Sequence, residues 1–104
     1  MGKIKKLILV TSPNHPLDKH FRKISKRLSD ELGVDLEVRI EDYVLLVNYG
    51  DVDEFGMTWL PQLLAELDDG SIVKVLTKPN LTREGKLDEE LDYKYALSKL
   101  MKEK

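Results

Sequence analysis

The sequence predicts an α/β domain with the element order β-α-β-(α)-β-β-α around a mixed four-stranded sheet. Leu7 to Val10 form an unbroken apolar run, the mark of a central strand buried on both faces. A helical stripe separates that run from a second β-prone segment, giving a β-α-β unit whose two strands must pair in parallel through a right-handed crossover. Further on, Asp69-Gly70 joins two more β-prone runs by a tight hairpin turn.

The first strand is read over Ile4 to Val10, and Thr11 to Pro16, with two prolines and turn-forming side chains, takes the chain out of the sheet. From Leu17 the apolar residues fall at 17, 21, 24, 28 and 32, with Lys19, Lys23, Lys26 and Arg27 on the opposite face. Gly33 is the expected C-terminal cap. Asp18 opens the helix, where a carboxylate caps orphan N–H groups and favours the positive end of the dipole. Val34, Leu36, Val38 and Ile40 alternate with Asp35, Glu37 and Arg39, as in a half-buried or edge strand. Those charges would also discourage edge-to-edge pairing, so self-association is left open.

Residues 43–49 carry β-branched and aromatic side chains that favour a strand, whereas their position favours a helix crossing back over the sheet; a helix is the preferred reading. Asp51 to Glu54 look like an N-cap with a reciprocal carboxylate three residues on, and Gly56 closes a short turn. Trp59 to Leu67 and Ser71 to Thr77 are read as the hairpin strands. Pro61, which has no N–H to donate, belongs at a strand entrance or on an edge. Trp59 and Leu60 would then lie just outside the sheet as a bulky exposed pair better suited to recognition than to packing. After Lys78 to Asn80, the segment Thr82 to Lys102 becomes helical, with Gly85 delaying its start. Leu87, Leu91, Tyr95, Leu97 and Met101 are expected on its apolar face.

Composition narrows the function classes. At 104 residues the chain fits one domain able to bury a core without disulfide or metal staples. It contains no cysteine, which removes disulfides, thiolate nucleophiles and thiol redox chemistry. Abundant Lys and Glu with a single glutamine resemble the bias of hyperthermophile proteins. Leu7 to Val10 is too short for a signal-peptide core or a membrane span, so a cytoplasmic location and no membrane partner are expected. Residues 1–39 carry nine Lys/Arg against five Asp/Glu, and residues 40–104 carry eight against fourteen. Between Glu41 and Asp69 there are eight acidic residues and no basic one. The basic helix face lacks interleaved aromatic residues and the pI is near 5.7, both of which argue against a nucleic-acid partner.

Few residues could carry chemistry. His15, Asp18 and His20 form the one cluster with catalytic or metal-binding potential, and Ser12 is the nearby hydroxyl. The five-residue step from His15 to His20 across a turn does not match zinc-motif spacing, so no metal is expected. Segment 41–54 lacks the oxygen-ligand spacing of a calcium loop. Neither a phosphate loop nor a nucleophile elbow appears, and no cofactor is expected.

Gly56-Met-Thr-Trp-Leu-Pro61 resembles a segment of the thioredoxin-fold family, Gly-hydrophobic-x-x-hydrophobic-Pro, whose proline is cis. Ile72 to Thr77 after Asp69-Gly70 is similar to that family's last strand, and Leu87 to Leu91 to its terminal helix. The resemblance implies a three-layer sandwich. It also places His15 and Asp18 where the family carries the two cysteines of Cys-x-x-Cys, so dithiol oxidoreductase activity is absent. What it leaves is a groove for an extended protein or peptide partner, bordered by Thr58, Trp59, Leu60 and Pro61 and by Asn14 and His15. Trp59 is the natural anchor there. The alternative is a small enzyme or ligand-binding protein using Ser12, His15 and Asp18 in place of the thiols.

Overall fold

A computed structural model describes residues 3–102. The strand β1, Ile4–Thr11, lies in the middle of the sheet, and Leu7, Ile8, Leu9 and Val10 are all buried. Burial on both faces explains the unbroken apolar run, since each such side chain removed from water contributes on the order of 1.5–3 kcal/mol. Along one edge of β1, the strand β2, Asp35–Ile40, pairs in parallel; along the other, β3, Gln62–Leu67, pairs antiparallel. The strand β4, Ile72–Leu76, completes the hairpin with β3, giving the order β2-β1-β3-β4. The sheet is mixed and four-stranded, as expected.

Three helices cover the two faces. Helix α1, Asp18–Leu32, and helix α3, Glu89–Met101, pack on the face that carries Leu7 and Leu9, through Phe21, Ile24, Leu28, Ala96 and Leu100. Helix α2, Tyr43–Tyr49, covers the other face, where Leu45 and Leu46 meet Ile8, Val10 and Leu64. Residues 43–49 are therefore helical. Asp42 starts the helix by accepting the Leu45 N–H at 3.1 Å, a start signal that outweighs local β preference. At the end of α1, Gly33 takes φ 66° and donates its N–H to the Ser29 carbonyl, the left-handed cap that glycine adopts without a Cβ penalty. No helix among the described residues is long and apolar enough to cross a membrane.

Several expectations need correction. Asp18 is the first residue of α1, but the N-cap position is Leu17, and the Asp18 carboxylate accepts from Thr11 Oγ1 and Arg22 Nε instead of backbone N–H groups. Asp51 starts no helix; Asp53 organises a tight turn by accepting the Phe55 and Met57 amides, and an isolated bridge between Val52 and Thr58 closes it. The first hairpin strand begins at Gln62, not at Trp59, so Trp59 to Pro61 precede it. The expected apolar face of the last helix is largely a solvent face: Leu87, Leu91, Tyr95 and Met101 are exposed, while Asp92, Ala96 and Leu100 point inward. A buried aspartate there is invisible to hydrophobic periodicity, because its hydrogen-bond partners come from distant segments.

Candidate functional site

Strand register gathers four connecting segments at one end of the sheet. Thr11 pairs with Ile40, Val10 with Gln62, and Leu63 with Leu76. The turn after β1, the start of α2, the loop before β3 and the residues after β4 therefore lie at the same end, the carboxyl end of the parallel pair β1 and β2. Open α/β sheets commonly bind ligands beyond the carboxyl ends of their parallel strands.

The turn after β1 is closed by His15 N–H donating to the Ser12 carbonyl and by Asp18 N–H donating to the His15 carbonyl. His15 Nδ1 accepts the Leu17 amide at 3.0 Å, so a neutral His15 carries its proton on Nε2. Asn14 is exposed and Ser12 half-buried. Asp18 is buried, with Thr11 Oγ1 at 2.7 Å and Arg22 Nε at 2.8 and 3.0 Å. Among the described residues no hydrogen bond joins the Ser12, His15 and Asp18 side chains to one another. A nucleophile, base and orienting acid require such a chain, and these three are instead engaged separately.

His20 does not converge with His15 and Asp18. Its Nε2 lies 2.6 Å from Asp92 Oδ2, which places it between α1 and α3. Among the described residues no three His, Asp or Glu side chains form a group able to hold a metal ion. On the basic face of α1, Lys26 pairs with Asp30 and Arg27 with Glu89 and Glu90 while its guanidinium stacks 3.9 Å from the Tyr93 ring centre, and the neighbouring Arg22 pairs with Asp18; Lys19 and Lys23 make no ion pair among the described residues.

The loop before β3 is held from below by Gln62, the one glutamine in the chain, which is fully buried. Its Oε1 accepts the Asp51 amide at 2.9 Å, and its Nε2 faces the carbonyls of Trp59 (3.0 Å) and Asp51 (3.2 Å) and Thr58 Oγ1 (3.0 Å). Thr58 Oγ1 in turn donates to the Asp51 carbonyl. Trp59 is half-buried rather than exposed, and its Nε1–H donates to the Thr77 carbonyl at 2.7 Å, tying the loop to the end of β4. Leu60 is also half-buried and packs against the α2-side core. The Leu60–Pro61 peptide bond is cis, and Pro61 is buried. Among the described residues neither the N–H nor the carbonyl of Leu60 has a hydrogen-bond partner.

The sequence matches no protein-family model and no curated protein.

Gln62 and Asp51 are the site residues that sequence reasoning passed over. A single amide side chain directly after a proline, at the entrance to an apolar strand, was the available signal. Asp51 receives Lys74 Nζ at 2.8 Å and the Thr77 hydroxyl. The Lys74 ammonium, and after it the Thr77 hydroxyl, holds its carboxyl below the usual carboxylate range. A carboxylate with a depressed folded-state pKa adds stability above its unfolded value, about 3.9, and loses it as pH falls through the folded value. Unfolding measured in urea should therefore show stability declining below about pH 4, with a smaller decline in Asp51→Asn. An equal decline in both proteins would mean that Asp51 takes no part in it. Glu37, Asp42 and Asp69, also held low by Lys6, by the Leu45 amide and by the Ser71 hydroxyl respectively, contribute to the remainder.

Proposed function

We propose that the chain is a cysteine-less, thioredoxin-like module that binds an extended segment of a protein partner at the end of the sheet bordered by Asn14, His15 and the Thr58–Pro61 loop. The observation that carries this reading is the state of Leu60. Its neighbours are fixed through Gln62 and Trp59, while its own N–H and carbonyl have no partner among the described residues. A backbone N–H and carbonyl held still and left unpaired can donate one hydrogen bond to an added strand and accept one from it with little ordering cost. The element order and a proline at the entrance to the third strand support the family resemblance, and the absence of cysteine removes its dithiol chemistry. Trp59 then acts as a strut for the loop rather than as the anchor, because its indole N–H is already engaged.

The test is a photo-reactive residue in place of Asn14, with one in place of the exposed Lys94 on α3 as a control. A partner should crosslink from position 14 and not from position 94. In the purified complex, hydrogen exchange at the Leu60 amide should slow by about tenfold or more. A bound partner that leaves Leu60 exchange unchanged would remove this groove as the site.

A further inference from the structure

The outer face of α2 is a second surface, bordering the Leu60 groove at Thr58 but facing away from the sheet. Six of the seven residues of the helix are aliphatic or aromatic, yet only Leu45 and Leu46 are buried against the sheet. Tyr43, Val44 and Val47 are left in solvent, with Val44 73% exposed. The turn over residues 52–58 adds Phe55, 82% exposed, and Met57, 65% exposed. Tyr43 and Val47 line two adjoining grooves, one of about 290 Å³ running to Val44 and Asn48 and one of about 450 Å³ running to Gly56, Met57 and Thr58. A contiguous apolar surface of this kind is unfavourable in water and marks an interaction site.

The charges around it define the partner. Glu41 and Asp42 precede the patch, Asp53 and Glu54 immediately precede Phe55, and no Lys or Arg occurs from residue 41 to residue 73. Glu41 and Glu54 make no ion pair among the described residues. The cations that bracket the segment neutralise two of its acids, Arg39 pairing with Asp42 as well as Glu37 and Lys74 with Asp51. Glu41, Asp53 and Glu54, without an ion pair among the described residues, leave a negative field around an apolar floor. A second copy docked face to face across a two-fold axis would bring like charges together. Nor can the basic helix α1 of another copy supply the apolar anchors, since Phe21, Ile24 and Leu28 are buried in its own core. An anionic lipid surface would be repelled.

The geometry points to a basic amphipathic segment of a partner protein, its apolar side chains seated in the grooves beside Tyr43 and Val47 and its Lys or Arg residues facing Glu41 and Glu54. Apolar burial supplies the affinity, and the acidic rim supplies orientation and rate. This surface does not depend on the Leu60 groove.

The test selects from a displayed library of random peptides on the full chain. Enriched sequences should interleave Lys or Arg with large apolar residues. Their affinity should fall about tenfold or more in Val47→Ser with Met57→Ser, and also in Glu41→Lys with Glu54→Lys. Binding should weaken with added salt and stay unchanged in Asn14→Glu, which lies at the Leu60 groove. All of these side chains are exposed or half-buried at the surface, and circular dichroism checks that each variant folds. Four results would each overturn the proposal: no enrichment, enrichment of acidic or uncharged peptides, affinity unaffected by either pair, or a dimer in sedimentation that Val47→Ser dissolves.

Discussion

Asp92→Ala should lower the unfolding free energy by about 3 kcal/mol or more, because it takes the acceptor from three donors in a poorly hydrated site. Asp92 is 0% exposed although it lies on a helix whose apolar residues largely face solvent. One carboxylate oxygen lies 2.6 Å from His20 Nε2, and the other accepts both the backbone and side-chain N–H groups of Asn80, at 2.7 and 2.8 Å. The aspartate thus ties α1, α3 and the segment after β4 together. Truncation leaves three donors without acceptors in a site that water reaches poorly, and each such group carries a desolvation cost of about 1–3 kcal/mol. Asp92→Asn keeps an oxygen for Asn80 while weakening the link to His20, so its loss should be smaller. Urea unfolding of the two variants and of His20→Ala measures this, and the His20 and Asp92 effects should be markedly non-additive because the residues share one contact. A loss under about 1 kcal/mol for Asp92→Ala would show the site to be wet and the network dispensable.

Gln62→Ala should cost about 3 kcal/mol, since it removes four hydrogen bonds of the loop before β3 at once and leaves the Asp51 N–H and the Trp59 carbonyl without a partner. Gly50 is coupled to it by close approach. A Cβ at position 50 would lie 2.6 Å from Gln62 Oε1 and 3.0 Å from both the Leu46 carbonyl oxygen and Leu46 Cδ2. Gly50→Ala should therefore cost about 1–3 kcal/mol, as overpacking does in a filled interior. The two substitutions test one another. With Gln62 already truncated, the severest contact is gone and only Leu46 opposes the methyl group, so Gly50→Ala should cost less in that background. Strict additivity in the unfolding cycle would mean that the helix end moves aside and that Gln62 does not fix it. Both changes should also speed amide exchange through residues 51–60, linking loop stability to the binding groove proposed beside it.

The sequence by itself determined the α/β class, the order of the elements, the central place of β1 and the absence of thiol chemistry. Each of these rests on a local pattern: an apolar run at β1, a helical stripe at α1, a glycine at residue 33 able to take positive φ, an Asp-Gly turn at residues 69 and 70, and a composition without cysteine. Only the tertiary structure decided what the polar side chains do. Asp18 turned from an expected helix cap to Thr11 and Arg22, and His20 left the His15 cluster for Asp92, 72 positions away. Trp59 gave its indole N–H to Thr77, and Gln62, an inconspicuous residue in the sequence, became the support of the loop. The apolar side chains of α3 were likewise misplaced by periodicity, because three donors from distant segments made burying Asp92 favourable. The physical reason is common to all of them. Apolar burial follows spacings within one element, whereas a buried donor or acceptor is satisfied by whichever segment the fold brings within about 3 Å.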